Sequence, residues 1–420
     1  MQRDQTASIQ RPTQAVILAG GRGTRLGELT KIRPKPMVEI HGMPFLAYQI
    51  EQLRDQGFER ILLLLGYMAG VIQDYCGDGR RWDVCIEYSV SAVEDENARR
   101  LKLAGSRLER HFLLLYCDNY WPMRIENMWS RYVAAGAPAM ITVYTNKDGY
   151  TRNSVRVDSD GYVAVYDKTC ASLGLQGVEI SYALMDKSVL ELLPEDNASV
   201  EEALYPRLAK RRQLLAYVTD HRYYSVGAVH RLPLTEAFFA RQPTVILDRD
   251  GVLNRRPPQA QYVRNWTEFE WLPGAKEALG LFNAAGYRVI VVSNQAGIGR
   301  GVVTEADLSQ IHELMQSEAA EAGGHIGAVY YCPHDWSNGC ECRKPKPGLL
   351  FRAQRDLSLD LTRALFIGDE ERDAQAAEAA GCPFVLVSER IPLLEVARRM
   401  LTQPTQLGKE YGKASNDNRT

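Results

Sequence analysis

The chain has 420 residues, 45% of them hydrophobic and 24% charged, which is enough for two to three domains with large cores and excludes disordered, fibrous and mini-protein classes. Against 52 Asp and Glu stand 50 Lys and Arg, a net charge of −2, so there is no surplus of positive charge for nucleic acid or an acidic membrane surface. Small polar substrates suit this balance.

In chain order, Met1 to Thr13 is polar and lacks the apolar stretch of a signal peptide, and residues 1–12 are expected to be flexible. The longest apolar run, Ile61 to Leu65, stops at Gly66, far short of the roughly 18–20 residues that span a bilayer. A cytoplasmic protein is therefore expected, with its eight cysteines read as thiols or metal ligands before disulfides. Short β-branched or leucine-rich runs alternate with amphipathic ones, the pattern of β-α-β units on a mainly parallel sheet. One series runs through Ala15–Ala19, Ile61–Leu65, Val84–Tyr88 and Phe112–Cys117. A second opens at Thr244–Leu247 and continues through Arg288–Val292, Ala328–Tyr331, Ala364–Ile367 and Phe384–Val387. Each series starts its own buried strand, so the fold class is α/β with two doubly wound domains, at 13–232 and 244–400. Residues 233–243, where Pro233 and Pro243 flank a short helical-looking stretch, form the expected linker, and 401–420 an expected flexible tail.

After the first strand comes Leu18-Ala19-Gly20-Gly21-Arg22-Gly23-Thr24-Arg25-Leu26, then Pro34-Lys35-Pro36-Met37. Gly20, Gly21 and Gly23 let backbone amides close on an anion, and a helix N-terminus can add its dipole. Phosphate is the natural guest, with Thr24 in the same loop. Arg25 and Lys35 can neutralise a triphosphate as its α-phosphorus is attacked. This string resembles the signature of the sugar-nucleotidyltransferase family, G-G-x-G-T-R-L followed by P-K-P-M. The resemblance implies a Rossmann-like domain that joins a nucleoside triphosphate to a sugar 1-phosphate with Mg²⁺. It assigns Asp118, after Phe112–Cys117, to that metal, and Lys168 to the sugar phosphate. Two departures stand out: Glu94 to Ala104 lacks the family's glycine-rich nucleotide segment, and Ser225 stands where a second metal-binding aspartate is expected. A hydroxyl is a poor Mg²⁺ ligand. Either Asp220 substitutes, one carboxylate suffices, or catalysis is impaired.

In the second series, Asp248-Arg249-Asp250-Gly251 follows the first strand, putting two carboxylates at i and i+2 at a strand's C-terminal end. Asp248 can attack phosphorus while Asp250 protonates the leaving oxygen and then activates water. Ser293 and Asn294 can hold phosphate oxygens, Arg343 and Lys344 supply cations, and Asp369 ends another strand with a carboxylate suited to Mg²⁺. Together these segments resemble the haloacid dehalogenase phosphatase superfamily, which implies an aspartyl-phosphate on Asp248 and Mg²⁺ held by Asp248, Asp369 and the Asp250 carbonyl. Cys332, His334, Cys340 and Cys342 offer three thiolates and an imidazole within eleven residues, enough for a closed, structural Zn²⁺ site. C-P-H followed by C-x-C-R-K-P resembles the phosphatases of D-glycero-D-manno-heptose 1,7-bisphosphate and of histidinol phosphate. The zinc loop is shorter than is typical of the heptose branch, and Glu370 replaces a common lysine.

The fusion favours the heptose branch, because removing the C7 phosphate leaves a sugar 1-phosphate for a nucleotidyltransferase. The expected protein is therefore bifunctional, and its first domain most resembles the heptose 1-phosphate guanylyltransferase type, which points to GTP. Expected partners are sugar phosphates and a nucleoside triphosphate, with no nucleic acid or membrane, and a homo-oligomer is compatible with the sequence. The alternative is a phosphatase alone, with a non-catalytic sugar- or nucleotide-binding first domain.

Overall fold

The computed structural model describes residues 10–402, and the expected flexible termini lie mostly outside them. Among the described residues no helix is long and apolar enough to cross a membrane. The chain divides into two compact units, the first ending at Phe239 and the second beginning at Ala240.

The first unit is built on strands β1 (Gln14–Ala19), β2 (Arg60–Leu65), β3 (Cys85–Val90), β4 (His111–Tyr116), β5 (Ala139–Tyr144), β6 (Val178–Asp186) and β7 (Leu214–Thr219). They form one seven-stranded sheet in the order β7-β5-β6-β4-β1-β2-β3. All neighbours are parallel except β6, which runs antiparallel to both β4 and β5. Side chains alternate across each strand: Ala15, Ile17 and Ala19 pack on one face, Val16 and Leu18 on the other. Both faces are buried, which is why β1 and β2 read as unbroken apolar runs. Each fully buried leucine or isoleucine contributes roughly 1.5–3 kcal/mol.

The stretch read as a linker is helical from Leu232 to Phe239 and belongs to the first unit. Phe238 stacks on Tyr224 with ring centroids 3.8 Å apart, and Phe239 lies 4.0 Å from Tyr48. Burying two phenylalanines outweighs the freedom of a linker, and Pro233 falls in the first turn, where its missing N–H costs nothing. At the other end, Arg11 is anchored: its guanidinium donates to Gly57 O and pairs with Glu126, so order reaches back into the expected flexible N-terminus.

The second unit carries β8 (Thr244–Leu247), β9 (Arg288–Asn294), β10 (Ala328–Cys332), β11 (Leu365–Gly368) and β12 (Phe384–Leu386). They form an all-parallel sheet in the order β10-β9-β8-β11-β12. Strand β8 is central, with Val245 and Leu247 facing one core and Ile246 the other. Its C-terminal end and those of β9 and β11 therefore open on one crevice. The last helix, Leu393–Thr402, carries the chain through Leu401 in helical form.

Candidate active sites

In the second unit Asp248 follows β8, its N–H donating to Ile367 O of β11 at 3.0 Å. Lys344 is buried and bridges two carboxylates, with Nζ 2.9 Å from Asp248 Oδ1 and 2.7 Å from Asp373 Oδ1. It also donates to Val292 O at 3.0 Å, tying it to β9. Oxygens of Asp248, Asp369 and Asp373 all lie within 4.8 Å of one another. Burial pushes Asp248 up, to about 7, with Lys344 pulling against Asp373 and Asp250. Asp369 is also raised by burial, despite Arg256 Nη2 at 2.6 Å from its Oδ2. Its Oδ1 is buried with no hydrogen-bond partner. Crowded carboxylates with an orphaned oxygen make a fitting cradle for a hard divalent cation such as Mg²⁺.

Asp250 is held as a carboxylate. Arg249 Nε and Nη2 donate to it at 2.9–3.1 Å, Asn254 Nδ2 at 2.9 Å and Gln295 Nε2 at 2.8 Å. Burial acts to raise its pKa, but Arg249 and the amide donors overcome that and hold it below the usual range. Arg249 is itself fully buried, against His312, which burial and that guanidinium push down to about 3 and so keep neutral. Gly251 has φ +97° and a Cβ there would lie 1.6 Å from Asp369 Oδ2, so no other residue lets the loop pass the carboxylate.

The remaining expected residues divide. Ser293 lines the cleft, buried, its Oγ accepting from Gln295 at 2.8 Å. Asn294 also lines it but uses both ends of its amide on the Lys344 main chain, at 3.1 Å each; it clamps the lysine's backbone where the sequence suggested a phosphate ligand. Arg343 lines the cleft with a buried, unpartnered Nη1, a group suited to an anion. The cleft measures about 680 Å³ and is also lined by residues 256–263 and Trp336.

Asp373, Arg249, Gln295 and Arg256 were not singled out from sequence. Asp373 sits in the first turn of helix Glu371–Ala380, four residues after Asp369, within an acidic run where spacing alone does not select it.

At the cysteine cluster, Cys332 Sγ lies 3.6 Å from His334 Nδ1 and 3.6 Å from Cys340 Sγ. Cys342 Sγ is 3.2 Å from that nitrogen, 3.3 Å from Cys332 and 3.5 Å from Cys340. Ligands around tetrahedral zinc stand about 3.5–3.8 Å apart, and the separations here, 3.2–3.6 Å, come within a few tenths of an ångström of that, so the four residues are grouped as such an ion needs.

In the first unit, Gly23 has φ +67° and the loop passes into a single 3-10 turn, Thr24–Leu26. That replaces the helix N-terminus expected there, because Gly27, also at positive φ, ends the turn after three residues. Gly21 and Arg25 are exposed. Lys35 Nζ pairs with Asp118 Oδ2 at 2.7 Å, joining the two motifs. Tyr224–Ser225 pairs with Asn119–Tyr120, so Ser225 stands in register with Asn119, next to Asp118. Its Oγ accepts from Gly227 N–H at 2.9 Å. Asp220 does not replace it: its carboxylate meets Thr145 and lies 2.9 Å from Lys147. Lys168 is exposed, 3.4 Å from Ser199 Oγ and from Glu202. Among the described residues, the two groups that could hold a metal through three or more acidic, cysteine or histidine ligands are both in the second unit.

Helix Asn97–Leu103 explains the unusual segment around Glu94–Ala104. Arg100 is buried beneath the glycine loop, donating to Leu65 O at 2.6 Å, Ser91 Oγ at 2.8 Å, Ala92 O at 2.8 Å and Val93 O at 3.2 Å. A Cβ on Gly20 or Gly66 would strike its guanidinium at 2.4–2.5 Å. The arginine ties the ends of β2 and β3 to the loop, a task no glycine-rich segment performs here. Glu179 on β6 was also missed; burial and Glu201 push it up to about 8.

Residues 14–161 match the Nucleotidyl transferase family model and 341–397 the HAD-hydrolase-like model. The chain is 41% identical over 143 residues to D-glycero-beta-D-manno-heptose-1,7-bisphosphate 7-phosphatase of Pseudomonas aeruginosa, covering 34% of this chain and 79% of that protein. It is 39% identical over 149 residues to the alpha-anomer 7-phosphatase of Mycobacterium bovis, covering 34% and 78%. The crystal structure of HddC from Yersinia pseudotuberculosis is 25% identical with a TM-score of 0.47, covering 54% of this chain and 99% of that one.

Proposed function

Since the chain belongs to the D-glycero-D-manno-heptose-1,7-bisphosphate 7-phosphatase family, we propose that its second unit hydrolyses the C7 phosphate of this sugar and that its first unit transfers a nucleotidyl group to the heptose 1-phosphate produced. The observation that carries the reading is Lys344, buried between Asp248 and Asp373 at the end of the central strand.

An Asp248 oxygen attacks phosphorus, and the bond from phosphorus to the C7 oxygen breaks as Asp250 delivers a proton to that oxygen. Asp250 then takes a proton from water, which attacks the aspartyl phosphate and releases inorganic phosphate. Lys344 offsets charge on the transferring group and Arg343 offers its unpartnered nitrogen to an anion. For Asp250 to carry a proton, Arg249, Asn254 and Gln295 must yield part of their hold, so substrate entry has to loosen that clamp. Asp248, Asp369 and Asp373 would hold Mg²⁺, which supplies charge neutralisation at the phosphoryl oxygens when bound. Cys332, His334, Cys340 and Cys342 would hold Zn²⁺ as a structural pin with no open ligand position.

In the first unit the sugar phosphate oxygen attacks the α-phosphorus of a nucleoside triphosphate, GTP on the sequence resemblance, and pyrophosphate leaves. Gly20 to Thr24 would cradle phosphates, with Arg25 and Lys35 as cations. Asp118 would hold Mg²⁺ once Lys35 turns to phosphate. A second reading, a phosphatase with a non-catalytic first unit, is favoured by Ser225 beside Asp118 in place of a second carboxylate.

The test is Asp248→Asn. Phosphate release from heptose 1,7-bisphosphate should vanish with circular dichroism unchanged; appreciable residual turnover contradicts the nucleophile role.

A further inference from the structure

Trp336 is 59% exposed, a large indole left in water where the same area buried would be stabilising. It is not loosely placed. It opens the short turn Trp336–Asn338 in the loop between His334 and Cys340, so its segment begins and ends at members of the four-residue cluster. Asp335 Oδ1 accepts its backbone N–H at 2.8 Å and also receives Arg300 Nε at 2.9 Å. The Arg300 guanidinium covers one face of the indole, with Cζ 3.8 Å from the ring. Arg300 is in turn braced by its neighbour: Gly299 N–H donates to Pro333 O at 2.8 Å, and a Cβ on Gly299 would lie 2.6 Å from Asp335 N. The indole lines the same cleft as Asp248, Asp250, Ser293 and Lys344.

A rigid aromatic plate, backed on one side and presented at the mouth of a cleft, binds a partner that is apolar on one face and polar at its edge. A sugar ring has that form, with C–H groups on its face and hydroxyls around it. We propose that Trp336 is a specificity-determining residue that stacks on the sugar ring of the substrate. This rests on the sugar-phosphate reading above. Because the loop is already ordered, little conformational entropy is lost when the ring seats, so the contact acts on affinity.

The test uses the zinc- and magnesium-loaded full chain and three phosphate donors: heptose 1,7-bisphosphate, mannose 6-phosphate as a second ring-bearing ester, and acetyl phosphate, which has no ring. Trp336→Ala should raise KM at least about tenfold for the ring-bearing donors, keep kcat within about threefold, and leave acetyl phosphate unchanged. Trp336→Tyr should recover most of the loss, and zinc content should not change. In the Asp248→Asn background, heptose 1,7-bisphosphate should shift the tryptophan emission, and Trp336→Phe should remove that shift. An equal loss on all three donors, or no loss, overturns the proposal. A wild type that hydrolyses mannose 6-phosphate but not the heptose ester overturns only the heptose reading, and loss confined to the ring-bearing ester still supports stacking. A wild type that hydrolyses acetyl phosphate alone overturns both.

Discussion

Asp373 Oδ1 stands 2.7 Å from Lys344 Nζ, and both side chains are almost wholly buried. The lysine is thereby aimed at Asp248 from the far side, since a single ammonium between two carboxylates cannot swing without leaving one of them uncompensated.

Asp373→Asn should therefore lower phosphate release about 100-fold, the scale seen when one electrostatic partner of a reacting centre is removed. It should also weaken magnesium binding, read by isothermal titration. A variant with normal kcat and normal magnesium affinity would show that Asp373 serves only to cap the helix in whose first turn it sits.

Arg256 competes for the same metal site through its contact with Asp369, and it also reaches Glu370. The arginine is 38% exposed, so the pair contributes only ~0.5–1 kcal/mol. Arg256→Ala should tighten magnesium binding about two- to fivefold, measured by titration without substrate. Weaker binding would mean that the arginine organises Asp369 instead of occupying it.

On the zinc reading proposed above, a cation would sit among the three clustered sulfurs. Without one, burial and the neighbouring Cys332 and Cys340 push the Cys342 thiol up to about 12. Zinc binding must therefore displace protons, and its affinity should fall as pH falls. Elemental analysis should find about one zinc per chain, and Cys340→Ser should lose it together with protection of residues 332–343 in hydrogen exchange. Full activity and protection in a zinc-free protein would contradict a structural metal.

Glu179 gives a pH effect of the opposite sense from an ordinary carboxylate. Folded, it keeps its proton up to about 8, whereas in the unfolded chain it loses it near 4.5. Between those values unfolding releases a proton, so the first unit loses stability as pH rises toward 8. Glu179→Gln should raise the melting temperature at pH 8.5, by about 2–4 °C for each kcal/mol recovered, and change it little at pH 4.5. An equal gain at both pH values would indicate packing, not ionisation.

The strand runs were legible because both sheets are buried on two faces, and runs such as Ile61–Leu65 and Val245–Leu247 admit little else. Both divided sites were legible as motifs, since the glycines, paired aspartates and clustered thiols are chemically distinctive at fixed spacing. What sequence did not yield is what acts across the fold. Arg100 reaches the glycine loop 80 residues away, and Lys344 meets Asp248 from the loop ahead of helix Gly348–Leu357. The helix at Leu232–Phe239 was read as a linker because its two flanking prolines are local signals, whereas the aromatic cluster that holds it is assembled from distant segments. Trp336 was passed over for a related reason, as its exposure and its Arg300 backing exist only in three dimensions.

The most direct test of two consecutive activities on one chain is a phosphorus NMR time course on the purified protein with Mg²⁺, GTP and ATP, and both anomers of heptose 1,7-bisphosphate. The expected result is inorganic phosphate first, followed by pyrophosphate and a sugar-linked diphosphate whose chemical shifts and mass identify the nucleotide. Inorganic phosphate without any diphosphate sugar would contradict transfer by the first unit, and no phosphate from either anomer would contradict the assignment of the second.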